Sequence, residues 1–136
     1  MWPEERARGR PSTAADNSAL RKTTVIRRFG PEDLEAAIEI DRQVFGGYDP
    51  SIFATFYEYH PRSTLVAEVG GRLAGFILGF KHTPLEGRVF WLAVKPGYQN
   101  RGIGTRLMLE EMRAFRQMGA LSVILEVRVS NRRAQS

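Results

Sequence analysis

Gln99-Asn100-Arg101-Gly102-Ile103-Gly104 places two glycines one residue apart, with an arginine just before them and a helical pattern just after. This combination suits the holding of an anion. A helix N-terminus presents unpaired backbone N–H groups and the positive end of a dipole, and it can seat a phosphate if side chains stay clear. Gly102 and Gly104 clear that space, and Arg101 adds positive charge at the same end. The fragment has the composition of a seat for the pyrophosphate of a nucleotide cofactor, although by itself it also fits a tight turn. Two familiar phosphate motifs do not fit. A P-loop needs a lysine directly after its second glycine, which is absent here. The dinucleotide fingerprint has its first glycine immediately after a strand, whereas Lys95 to Arg101 intervene here and Leu107 occupies the place of the third glycine.

A second candidate is Glu126, which interrupts the apolar run Ser122-Val123-Ile124-Leu125-Glu126-Val127-Arg128. A charge within a strand is disfavoured unless it reaches a cleft or a partner. Glu126 is therefore either a base facing a site or an edge residue paired with Arg128. His60 and His82 lie in loops without a nearby carboxylate pattern and are read as solvated, so no metal site is expected. Cysteine is absent, which excludes disulfides, thiolate metal sites and a covalent cysteine intermediate. Any acyl transfer must then be direct or use another nucleophile.

These residues need elements to position them. Residues 1–22 mix Arg, Pro, Ser, Ala and Asn without apolar periodicity and read as a disordered leader. Residues 23–136 read as one domain. Thr23–Phe29 is β-branched and predicts a strand. Pro31-Glu32-Asp33 then opens a helix with Leu34, Ala37, Ile38, Val44 and Phe45 on one face, and Gly46-Gly47 stops it. Asp49-Pro50 starts a second, short helix through Phe53 and Phe56 to His60-Pro61. Thr64–Val69 and Leu73–Phe80 flank Gly70-Gly71, a hairpin signal, so they should be antiparallel neighbours. A loop through Pro84 and Gly87 leads to a fourth strand, residues 88–94, whose consecutive apolar residues predict burial on both faces. From Gly104 to Met118 the period turns helical, with Leu107, Met108, Met112 and Phe115 inward, and Gly119 as its cap. Residues 121–127 form a fifth strand. Strand, loop, helix and strand thus make one right-handed crossover in a mixed sheet.

The length of 136 residues suits one core, and no apolar run approaches the roughly 18–20 residues of a membrane span. A cytosolic, non-membrane protein is expected. The net charge of +5 is carried by the ends: residues 1–22 hold five basic and three acidic groups, residues 128–136 three basic and no acidic ones, and twelve of each lie between. With the middle neutral, nucleic-acid binding is not the expected main role.

Leu92–Met108, "LAVKPGYQNRGIGTRLM", followed by Leu125–Asn131, "LEVRVSN", resembles the acetyl-CoA-binding core of the GNAT superfamily of N-acetyltransferases. The likeness is greatest to the ribosomal-protein N-terminal alanine acetyltransferases. The family signature Arg/Gln-x-x-Gly-x-Gly/Ala is met by Gln99, Gly102 and Gly104, and the order of elements agrees over about residues 24–134. The resemblance implies a mixed, mostly antiparallel α/β sheet flanked by helices, and acetyl transfer from acetyl-CoA to a primary amine. The acceptor would be a protein N-terminus or, alternatively, a small amine; a non-catalytic acyl-CoA-binding remnant is the rival from another class.

It also implies roles residue by residue. The strand before the loop carries a bulge, splays from the next strand and pairs with the pantetheine arm, which points to Leu92, Ala93 and Val94. Asn100, Arg101, Gly102, Ile103, Gly104 and Thr105 would wrap the pyrophosphate, with Gln99 opening the signature. Asn131 would contact the pantetheine, and Glu126 would be the base. A backbone N–H near Val94 would stabilise the charge developing on the acyl oxygen. The family's acid is a tyrosine on a helix beyond position 136, and Tyr48, Tyr57, Tyr59 and Tyr98 do not match it. The family fold continues with a further helix and two strands beside strand five. Their absence predicts apolar residues of strand five facing water, from a truncated sequence or with a second copy covering the edge.

Overall fold

The computed structural model describes residues 23–47 and 49–128, with side chains through Leu125. The leader read at residues 1–22 lies outside them. The elements are β1 (Thr24–Arg28), a 3-10 turn (Pro31–Asp33), α1 (Leu34–Phe45), α2 (Ser51–Tyr59), a second 3-10 turn (Pro61–Ser63), β2 (Thr64–Val69), β3 (Arg72–Thr83), β4 (Glu86–Val94), α3 (Ile103–Gln117) and β5 (Ser122–Arg128). The strands form one sheet in chain order, β1-β2-β3-β4-β5. The pairings β1–β2, β2–β3 and β3–β4 are antiparallel and β4–β5 is parallel, so α3 is the crossover. The mixed, mostly antiparallel sheet agrees with the expectation.

Gly70 and Gly71, at φ 60° and 83°, make the left-handed turn that a two-residue hairpin with right-twisted strands requires. The β3–β4 connection differs from the expected loop. β3 runs to Thr83 and β4 starts at Glu86, leaving only Pro84 and Leu85 between them. Gly87 is therefore inside a strand. It is a glycine because a Cβ there would come within 2.6 and 2.7 Å of two carbons of the Phe115 ring.

The sheet is covered on both faces. On one side α1 and α2 bury Ile40, Val44, Phe53 and Phe56 against Phe76, Leu78 and Trp91. On the other, α3 buries Ile103, Leu107 and Phe115 against Leu65, Ile77 and Val89. Each such side chain contributes roughly 1.5–3 kcal/mol when fully buried. Because α3 sits close to the sheet, three glycines lie beneath it. A Cβ at Gly75 would meet Leu107 at 3.3 Å, one at Gly79 would reach Glu111 and Phe115, and Gly87 lies under Phe115.

The inward row of α3 is thus 103, 107, 111, 115, which corrects one detail of the periodicity reading. Met112 is 38% exposed, and Glu111 beside it is fully buried. A row four residues apart runs straight along a helix, and it takes in Glu111 despite its charge. β4 supplies both faces as expected. Val89 lies in the α3-side core and Trp91 and Ala93 in the opposite one. On the outer strand β5 Leu125 is 59% exposed, and Leu121 just before the strand is 81% exposed. No helix among the described residues is long and apolar enough to cross a membrane.

Candidate active site

The site is built on an irregularity in β4. Against β3, Leu78 pairs with Trp91 but Gly79 pairs with Val89, so Phe90 is an extra residue. Against β5, Val89 pairs with Leu125 and Trp91 with Arg128. Phe90 and Trp91 both turn toward the α1–α2 side, as a bulge dictates. Beyond it Leu92, Ala93 and Val94 keep partners on β3, Ile77, Phe76 and Gly75, while among the described residues the pairing with β5 runs no further than Trp91 and Arg128. Among the described residues no strand pairs with the other side of this short segment.

Alternation in an antiparallel pair fixes which groups are free. The Lys95 N–H donates to the Ala74 carbonyl at 2.7 Å, so Lys95 and Ala93 face β3. Leu92 and Val94 therefore direct their N–H and C=O groups away from β3, toward the open side. Their side chains pack partly buried on the α3-side core.

The edge leads into the glycine segment. Tyr98 N–H donates to Lys95 O at 2.9 Å, and Gly97, Asn100 and Gly102 have φ of 93°, 65° and 82°. Gly102 precedes α3, and no side chain caps the helix. The first helical bond runs from Arg106 N–H to Gly102 O at 3.0 Å, so the N–H groups of Ile103, Gly104 and Thr105 precede it. A Cβ on Gly102 would meet nothing within 4 Å, whereas one on Gly104 would lie 3.7 Å from Val94 Cγ2. The two glycines thus differ: Gly102 supplies the left-handed turn, whereas a side-chain carbon at Gly104 would make only an ordinary contact with the end of β4.

Lys95 and Tyr98, which sequence reasoning left without a role, join Arg101 in this loop. Lys95 Nζ and the Arg101 guanidinium lie 5.8 and 5.7 Å from the centre of the Tyr98 ring. The signal available in the sequence was a cation three residues to either side of one aromatic. Gln99 does not extend into the cradle; its Nε2 donates to the Val94 carbonyl at 3.0 Å. An edge with free amide groups, followed by an uncapped helix N-terminus and two cations, fits coenzyme A: an amide-bearing arm ending in a pyrophosphate.

Glu126 stands in β5 between Leu125 and Arg128, opposite the β4 irregularity; its side chain lies outside the described residues. Asn131 and Tyr48 also lie outside them. On α2, Phe53 and Phe56 are core, and Tyr57 and Tyr59 are exposed. His60 is not simply solvated. Its ring lies 5.4 and 5.5 Å from those of Phe56 and Phe80, and burial lowers its pKa. Among the described residues no group of side chains could hold a metal.

Two acids away from the edge have contrasting environments. Burial alone would raise the Asp33 carboxyl, but the Arg27 guanidinium at 2.8 Å and the Gly30 N–H at 2.8 Å outweigh it and hold it below the usual carboxylate range. Glu111 has no such donors: neither oxygen has a hydrogen-bond partner, and burial pushes its carboxyl well above that range. Among the described residues it is an acid without a partner in an apolar core, where burial favours its protonated form.

Residues 34–136 match the acetyltransferase (GNAT) family. An uncharacterized N-acetyltransferase of Methanocaldococcus jannaschii is 38% identical over 109 residues, 79% of this chain and 69% of that protein. The crystal structure of Ard1 from Thermoplasma volcanium superposes with a TM-score of 0.74 at 32% identity, covering 83% of this chain and 77% of that one. The ribosomal-protein-S18-alanine N-acetyltransferase of Escherichia coli superposes with a TM-score of 0.67 at 26% identity, covering 82% and 72%.

Proposed function

Because the chain belongs to the acetyltransferase (GNAT) family, we propose that it transfers acetyl from acetyl-CoA directly to the N-terminal α-amine of a protein. The observation that carries this reading is the pairing of Leu92–Val94 on the β3 side alone among the described residues, followed through the Lys95–Arg101 loop by the uncapped start of α3. The acceptor class is supported by the match to the Escherichia coli alanine N-acetyltransferase and by Leu125–Asn131.

Acetyl-CoA supplies the activated acetyl thioester. Leu92 and Val94 would hold the amide arm along the strand, and residues 100–105 with Arg101 would hold the pyrophosphate. The acceptor must attack as a neutral amine. An N-terminal amine has a pKa of about 8 and a lysine about 10.4, so a base helps near pH 7, and the N-terminal amine is the easier to deprotonate. Glu126 takes that proton, directly or through water. The amine nitrogen then forms the C–N bond as the C–S bond breaks, and the departing thiolate takes up a proton. The Val94 N–H is a preorganised donor for the charge that develops on the acyl oxygen.

Thiol release from acetyl-CoA tests this, since a chain without cysteine adds no thiol of its own. Peptides beginning in alanine should stimulate release, and Glu126→Gln should lower it about 100-fold, the scale of a lost general base. Stimulation by small amines but by no peptide would reject the acceptor class. Undiminished turnover in Glu126→Gln would reject the base.

A further inference from the structure

Gln99 belongs to the glycine-rich segment by sequence, but its side chain turns back to β4 and donates to the Val94 carbonyl at 3.0 Å. We propose that Gln99 is a positioning residue, a latch that occupies the Val94 carbonyl so that only the Val94 N–H is presented to the acyl oxygen. This rests on reading Leu92–Val94 as the cofactor's edge.

The need for a latch follows from strand geometry. The N–H and C=O of one residue in an extended strand project to the same side. Lys95 is turned toward β3 by its bond to Ala74, so both polar groups of Val94 face the open side. Any acyl oxygen approaching that N–H meets a second oxygen, the Val94 carbonyl, as its next neighbour. Two acceptors repel, and a carbonyl with a lone pair to satisfy also draws water into the cleft. In β4 ahead of the bulge, β5 lies along this side. At Val94 no strand among the described residues lies along this side, and Gln99 donates to the carbonyl. The Val94 N–H belongs to the preceding peptide and has no partner among the described residues.

The loop is shaped to deliver this side chain. The Tyr98-to-Lys95 turn reverses the chain directly after the strand, and Gly97 at φ 93° permits it. Gln99 follows that turn at once and is half-buried, with its carboxamide against the end of the strand it has just left. Asn100 and Arg101, the next two residues, are exposed. The segment is thereby divided. Residues from Asn100 onward face the pyrophosphate, and Gln99 serves the acyl end.

The experiment compares binding of acetyl-CoA with binding of CoA, which has the same arm and phosphates but no acyl oxygen, by calorimetry. Gln99→Met keeps the length and removes the donor. The expected result is CoA affinity within about twofold of the parent and acetyl-CoA weakened about tenfold, the scale of leaving one such acceptor unsatisfied. Gln99→Glu, of the same size, should distort the ratio further by placing an acceptor against the carbonyl. Gln99→Arg restores a donor and should return the ratio toward that of the parent. Equal weakening of both ligands would overturn the latch in favour of a side-chain contact with the phosphates, and an unchanged ratio in folded Gln99→Met and Gln99→Glu would overturn it outright. If the parent chain bound neither ligand, the reading of the edge would fail and the latch with it, a result distinct from both.

Discussion

The two halves of β4 belong to one strand and are used in opposite ways. From Glu86 to Val89 the strand is paired on both sides, to β3 and to β5, and Gly87 lies directly beneath the Phe115 ring. From Leu92 to Val94 it is paired, among the described residues, on the β3 side alone. Phe90 is the division between them. The difference teaches that a strand can be both scaffold and site when a single extra residue ends one of its two ladders. Substitutions in the closed half should therefore cost stability, and substitutions at the open end should cost ligand binding.

Gly87→Ala puts the strongest strain on that contrast. The new methyl would overlap the Phe115 ring, and overpacking of this kind costs about 3 kcal/mol at its upper range. Chemical denaturation should show the loss, with the affinity of the folded fraction for CoA unchanged. An equally large fall in affinity would mean that the halves are not separable. Gly102→Val is the converse case at the end of the cradle. Its Cβ would touch nothing, but a β-branched residue at φ 82° is strained by about 2 kcal/mol, roughly thirtyfold in affinity. CoA binding should weaken by that factor with little change in melting temperature, because the exposed loop relaxes in the free chain.

At pH 5, where its cost has barely begun, the effect of Glu111, under the closed half, is slight, and it grows with pH. Its folded-state pKa is raised, so between the ordinary carboxylate pKa of 4.5 and that raised value the folded state holds a proton that the unfolded state has released. Stability from this group is full below pH 4.5 and falls by about 1.4 kcal/mol per pH unit as the pH rises, until the raised pKa is reached. Asp33 has the opposite sign: its ion pair with Arg27 is lost toward low pH. Glu111→Leu should remove the alkaline slope. The gap in unfolding free energy between parent and variant should then widen from pH 5 to pH 8; a constant gap would mean that Glu111 is ionised throughout.

Most of the fold was legible because its signals are local. Gly70-Gly71 announced a hairpin, Gly46 at φ 90° ended α1 where expected, and the change of period after Gly104 marked α3. The turn before α3 was legible for the same reason, since Gly102, at φ 82°, answers a backbone requirement within its own turn. What escaped depends on distant neighbours. Gly87 was read as part of a loop because nothing near it in the chain reveals the Phe115 ring that sits on it. Glu111 was passed over in favour of Met112 because hydrophobicity was ranked above the straight row of the helix. Gln99 was recognised by type but not by direction, which depends on the chain folding back after Tyr98.

The strict left-to-right order of the sheet also carries a history. β2, β3 and β4 are joined by Gly70-Gly71 and Pro84-Leu85 alone, so they can zip together with little loop entropy to overcome. β5 has no such neighbour and must wait for α3 to form and dock before its parallel ladder closes. The β4–β5 side therefore takes shape after the β2–β4 meander, and pulse-labelled hydrogen exchange during refolding should protect the amides of β3 before those of β5.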